Sequence, residues 1–103
     1  MSKAFVYTEL QLSVPFDQYG WREANPGLRA QPGFRNKTWL AGIGSQSLGG
    51  FYEFDGIENA RRFVTAYFPA EARKFGVAQT TRILLFKNMA WVRLRSAAGL
   101  PAW

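Results

Sequence analysis

Strand-period and helix-period segments alternate within only 103 residues, and the order in which they come constrains the fold more than any other feature. From Ala4 to Ser13 the chain alternates with a period of two. Val6, Thr8, Leu10 and Leu12 fall on one face, suited to a helix-covered core. Phe5, Tyr7, Glu9 and Gln11 fall on the other. This second set mixes rings, a carboxylate and an amide, a composition that suits a shared surface better than open solvent.

The segments that follow set the topology. Pro15-Phe16-Asp17 opens a helical stretch with Asp17 as its cap. Asn25-Pro26-Gly27 interrupts it, because Pro26 lacks an N–H and biases Asn25 away from helical geometry. Two short helices are therefore predicted, the second capped by Asn25 with Pro26 at its first position. Gln31-Pro32-Gly33 is a turn. Phe34 to Ala41 is a strand with Arg35, Lys37 and Trp39 on one face and Asn36, Thr38 and Leu40 on the other. The Gly- and Ser-rich residues 42–50 read as a hairpin loop, and Phe51 to Phe54 as the third strand. Asp55 and Glu58 have capping-box spacing ahead of an apolar stripe of Ile57, Ala60, Phe63, Val64, Tyr67 and Phe68. Pro69 is expected to stop that helix and start a short one to Phe75, ended by Gly76. Val77 to Phe86 is the last strand, with Ile83 and Leu85 alternating against Arg82, Leu84 and Phe86.

The order is βαββαβ. Right-handed crossovers turn it into a ferredoxin-like α+β domain, a four-stranded antiparallel sheet with helices on one face. Residues 1–88 form this domain, and residues 89–103 a tail whose Trp91, Leu94, Leu100 and Trp103 should pack at a sheet edge or subunit boundary. One sheet face, expected to carry Phe5, Tyr7, Glu9, Lys37 and Trp39, is left bare. Nine Phe, four Tyr and four Trp are more rings than so small a domain can bury, which points to a homodimer.

The chain has no Cys and no His. This excludes the usual zinc sites, cysteine nucleophiles, Ser-His-Asp relays and axial-His haem. The seven acids are scattered without a metal-binding spacing. A net charge of +6 favours anionic ligands or simply keeps the surface soluble. No apolar run approaches the ~20 residues of a membrane span, and the first residues lack a secretory signal's apolar core. A cytoplasmic protein is expected.

Pro32-Gly33-Phe34, Lys37, Trp39, the run Gly49-Gly50-Phe51-Tyr52-Glu53-Phe54, Ala60 and Phe75-Gly76-Val77 form a series that resembles the YdhR-type monooxygenase family of the dimeric α/β-barrel superfamily. The likeness runs from about Phe5 to Phe86 and rests on order and spacing. It implies two sheets paired face to face as a dimeric barrel. It also implies oxidation of a small aromatic or phenolic substrate by O₂, with no metal, flavin or other cofactor. The break at Asn25-Pro26-Gly27 and the aromatic tail depart from the family's pattern.

On that reading Glu9, Lys37 and Trp39 are candidate catalytic residues, and Tyr7, Tyr52, Glu53 and Arg82 candidate substrate contacts. Trp39 and Tyr52 would stack on or hydrogen-bond a ring. Lys37, Arg35 or Arg82 would steady a phenolate, and Glu9 or Glu53 would take a proton if burial raised its pKa. Each has a structural competitor: Trp39 as core or interface filler, Tyr52 as a core ring, and Lys37 as the cross-strand ion-pair partner of Glu9 or Glu53. Two other functions share the element order. One is a non-catalytic dimer that binds a small ligand. The other is an RNA-binding module, echoed by Gly50-Phe51-Tyr52-Glu53-Phe54 with Phe5 beside it. Nucleic acid fits less well, because Glu9 and Glu53 would face the phosphates and the strand lacks a leading basic residue.

Overall fold

The computed structural model of the chain describes residues 3–13, 20–75 and 82–90. Strands β1 (Ala4–Gln11), β2 (Phe34–Ala41), β3 (Ser47–Phe54) and β4 (Arg82–Lys87) form one antiparallel sheet in the order β2-β3-β1-β4. Helix α1 (Trp21–Arg29) lies between β1 and β2. Helix α2 (Ile57–Arg62), a π-helical turn (Phe63–Tyr67) and α3 (Phe68–Phe75) lie between β3 and β4. This is the ferredoxin-like α+β fold that the element order predicts.

The alternation along β1 places the core. Ala4, Val6, Thr8 and Leu10 are buried on the helix side, and Phe5, Tyr7, Glu9 and Gln11 are half-buried on the other. Tyr52 and Phe54 of β3 meet Ala60, Phe63, Phe68 and Ala72 from the helical layer. Phe63 is the hub. Its ring centroid lies 4.9 Å from Tyr52, 5.1 Å from Phe54, 5.7 Å from Tyr67 and 6.0 Å from Phe68. Thr8, buried among these apolar groups, shares a 3.2 Å hydrogen bond with the Tyr52 hydroxyl, so neither polar atom is left unsatisfied.

Several local expectations are corrected. Helix α1 continues through Asn25-Pro26-Gly27 rather than breaking there, and its N-cap is Gly20. Asn25 does not cap. Its Oδ1 instead accepts a 3.2 Å hydrogen bond from Trp39 Nε1, a tertiary contact that outweighs the local bias of Pro26. A Cβ at Gly27 would stand 2.9 Å from the Tyr67 hydroxyl, so a larger residue there would make the tyrosine shift. Asp55 caps nothing either. Gly56 is the N-cap of α2, and the Asp55 carboxylate accepts from Asn59 Nδ2 at 3.0 Å.

Pro69 does not stop the helical run. The Phe68 N–H bonds to the Phe63 carbonyl, five residues back, and this widened turn comes immediately before the proline. A π-turn relaxes the packing of the carbonyls that Pro69 would otherwise crowd. Strand β3 also begins four residues earlier than expected, at Ser47. The loop shrinks to a tight connection with Gly44 at φ 75° and a Gly42 N–H to Ser47 carbonyl bond of 2.8 Å. The turn at Gln31-Pro32-Gly33 stands as predicted, with Gly33 at φ 75° and the Phe34 N–H bonded to the Gln31 carbonyl at 3.1 Å. The predicted cap at Asp17, the helix stop at Gly76 and the bulk of the tail lie outside the described residues.

Candidate functional site

The candidate residues divide between the two faces of the sheet. The sequence reading puts Lys37 and Trp39 with Tyr7 and Glu9, and the structure overturns that placement. Between Phe34 and Asn36 the register shifts, so that Arg35 is an extra residue in β2. Phe34 still pairs with Phe54, but beyond the bulge Lys37 pairs with Tyr52 and Trp39 with Gly50. Lys37 and Trp39 therefore lie on the helix side together with Tyr52. Simple alternation from the apolar Phe34 assigns them to the wrong face because it cannot see the bulge.

On the helix side Lys37 occupies an uncommon environment for a lysine. Its Nζ lies 3.2 Å from the Trp39 ring centroid and 4.5 Å from that of Tyr52. The ion pair with Glu9 or Glu53 does not form. Glu53 instead pairs with Lys3 at 3.5 Å, and among the described residues no carboxylate comes within salt-bridge distance of Lys37. Burial strips water from the ammonium and lowers its pKa to about 7. The ring faces act in the opposite sense, but cation–π attraction is worth about 0.5–2 kcal/mol and a pKa unit is about 1.4 kcal/mol. The downward shift wins, and the amine titrates near neutral pH.

Gly50 makes this possible. A Cβ on it would overlap Lys37 Cε and press on the Tyr52 ring. The absent side chain is thus the groove in which the lysine stem lies. The cleft around the amine has a volume of about 30 Å³, bounded by Lys37, Trp39, Tyr52, Leu28, Tyr67 and Glu71. That is room for a water or two. At its rim the Tyr67 hydroxyl donates to Glu71 Oε1 at 3.2 Å, and Glu71 Oε2 pairs with exposed Lys74 at 2.8 Å. Tyr67, Glu71 and Asn25 were not among the sequence candidates. Tyr67 lies in the apolar helix stripe and reads as core, while its spacing of four from Glu71 is the signal that could have marked it.

The open face carries the remaining candidates. The Tyr7 hydroxyl donates to Glu9 Oε2 at 2.8 Å. Its pKa is raised by that hydrogen bond first, then by desolvation and the Glu9 charge, against the opposing pull of Arg82. Glu9 is directly cross-strand from Arg82, and Glu53 stands beside Phe5. A broad hollow of about 360 Å³ borders Tyr7 and Glu9 at the β2–β3 hairpin end, with Ser45 and Ser47 on its rim. It is larger than the lysine cleft, but no amine lines it, and the lysine whose pKa is lowered lies on the helix side. The sheet keeps these two groups apart. Glu9 and Lys37 cannot act on one bound substrate.

Among the described residues no group of three or more His, Cys, Asp or Glu side chains is placed to hold a metal ion, and no helix is long and apolar enough to cross a membrane.

Solved structures match this architecture over nearly the whole chain. SnoaB, a cofactor-independent oxygenase from Streptomyces nogalater, superposes with a TM-score of 0.68 at 16% identity, covering 89% of this chain and 98% of its own. ActVA-Orf6, a monooxygenase from Streptomyces coelicolor solved with nanaomycin D, gives 0.62 at 14% identity, covering 89% and 92%. NE2512, a protein of unknown function from Nitrosomonas europaea, gives 0.62 at 18%, covering 94% and 98%. The chain has the fold of these oxygenases. No family model and no curated protein matches the sequence, and these structural likenesses do not single out the YdhR-type family.

Proposed function

We propose that this protein is a cofactor-independent monooxygenase of small phenols, of the YdhR type, and that Lys37 is its base. The observation that carries the reading is the Lys37 amine packed against the rings of Trp39 and Tyr52, where burial lowers its pKa to about 7. Oxidation of a phenol by O₂ begins with loss of the phenolic proton. A neutral amine can take that proton, and the resulting ammonium stays beside the phenolate and stabilises it. The electron-rich ring then forms a carbon–oxygen bond to O₂. The hydroperoxide loses water and leaves a quinone, so that phenol and O₂ give quinone and H₂O. Trp39, which lines the cleft beside the amine, would contact the substrate ring. A phenol needs more room than 30 Å³, so binding must displace α1, which among the described residues is tied to the sheet by the hydrogen bond from Trp39 to Asn25.

Oxygen uptake with hydroxynaphthalenes and related polycyclic phenols tests this. The expected rate rises with pH through about 7 as Lys37 loses its proton, and Lys37→Met lowers it by at least 10²-fold, the usual worth of a general base. Uptake that survives in Lys37→Met would remove Lys37 from the mechanism. Binding of phenols without any uptake would favour the non-catalytic ligand-binding protein.

The open face supports a homodimer. Phe51, Leu84 and Phe86 are exposed there at 42%, 42% and 47%, and Phe5 stacks on Phe51 with centroids 5.5 Å apart. Such a band on a bare sheet is covered by a second copy. Sedimentation is expected to give a dimer for the wild-type chain and a monomer for Phe51→Glu. A wild-type monomer at micromolar concentration would count against the dimer. It would also reopen the RNA reading, although Glu9 and Glu53 share that face with the rings.

A further inference from the structure

We propose that Lys37 is also a covalent attachment point for small aldehydes, its ε-amine condensing with the carbonyl carbon to form an imine inside the cleft. The inference does not depend on oxygen chemistry. It starts from geometry: the side chain runs through the gap left by Gly50 and ends over the faces of Trp39 and Tyr52. Among the described residues no carboxylate pairs with it to hold the charged form. Desolvation in an aromatic pocket is one of the established ways of making a lysine nucleophilic. The remaining cavity, about 30 Å³, suits a one- or two-carbon carbonyl compound without movement of α1.

The steps balance without any other reagent. The amine lone pair forms a C–N bond to the carbonyl carbon, and the C=O π pair becomes the hydroxyl of a carbinolamine once a proton shifts from nitrogen to oxygen. The hydroxyl then leaves as water with the second amine proton, giving C=N. Protonated from solvent, the iminium carries its positive charge where the ammonium now lies, over the Trp39 ring, and keeps the cation–π attraction.

The test is reductive methylation of the intact chain at pH 7 with limiting formaldehyde and cyanoborohydride, under nitrogen, followed by peptide mass mapping. The chain has four lysines, Lys3, Lys37, Lys74 and Lys87, and the other three are exposed. An exposed lysine with the ordinary pKa of ~10.4 is neutral at only about one part in 2,500 at this pH. Burial lowers the Lys37 pKa to about 7, so a far larger share of it is neutral at this pH. Lower basicity also lowers nucleophilicity, so the expected preference for Lys37 is about tenfold or more rather than a thousandfold. The α-amino group, with a pKa of ~7.7–8.0, is the internal reference. In denaturant the preference should vanish, because the unfolded chain treats all four lysines alike. Labelling of Lys37 at or below the rate of the exposed lysines in the folded protein would overturn the proposal. So would a preference that persists unchanged in denaturant. Because oxygen is absent, the labelling reads the amine alone: preferred labelling of Lys37 without any oxygen uptake would keep this proposal and remove the oxygenase reading, whereas uptake without preferred labelling would do the reverse.

Discussion

Replacing Lys37 by methionine is expected to stabilise the protein at pH 7 by a few kcal/mol, on the order of 2–4. The lysine is an ordinary one in the unfolded chain, with a pKa of ~10.4, and titrates at about 7 when folded. Between those values the unfolded chain binds a proton that the folded chain does not. Stability therefore rises with pH across that window, at up to ~1.4 kcal/mol per pH unit. The destabilisation is complete below about pH 7 and is relieved as pH climbs toward the unfolded value. Methionine keeps much of the stem's volume, favours contact with rings and has nothing to titrate. In Lys37→Met the slope between pH 7 and 9.5 should flatten. The window ends there because Tyr7, whose pKa is raised above 10, titrates beyond it with the opposite sign: its folded-state proton is held more tightly, and stability falls as pH passes through its range. Urea denaturation at pH 7, 8 and 9 measures the effect. Parallel stabilities for the two proteins would mean that the amine is solvated after all. A side chain that lowers stability where it stands is what a site group looks like.

Phe63→Ala is expected to cost about 3–5 kcal/mol. Phe63 is 1% exposed and meets four rings from both layers of the domain. Its removal leaves a cavity that none of those stiff rings can collapse to fill. Domains of this size are stable by only ~5–15 kcal/mol, so the loss is a large share of the total. It also removes the packing that holds Tyr52 under Lys37. Thermal unfolding of Phe63→Ala should show a fall of well over 10 °C. A shift of a few degrees would mean that the two layers are joined elsewhere.

The fold was legible because the order of elements was readable and β1 alternates without a fault from Ala4 to Gln11. The helical stripe from Ile57 to Phe68 was equally plain, since its apolar residues became the core. What the sequence concealed arises where tertiary contacts override local rules. Asn25 and Pro26 look like a helix start, yet Asn25 is held by Trp39, fourteen positions away in sequence. Gly49 and Gly50 look like loop, but lie within β3 because backbone and Lys37 approach them closely. The bulge at Arg35 is the most consequential, for it moves Lys37 and Trp39 from the face shared with Glu9 to the face under the helices. The candidate site was thus half legible. Lys37, Trp39 and Tyr52 were named, but as partners of the wrong carboxylates. Lys37 lies across from Tyr52 and diagonal to Gly50, a placement that follows only from the bulged register.

Whether Lys37 is a near-neutral amine in its aromatic cleft is measured directly by an NMR titration of its ε-methylene carbon. With lysine selectively labelled, Lys37 is assigned as the resonance missing from the Lys37→Met spectrum. The predicted midpoint is about 7 in the folded protein, moving to ~10.4 in denaturant. A midpoint near 10.4 in the folded protein would contradict the account.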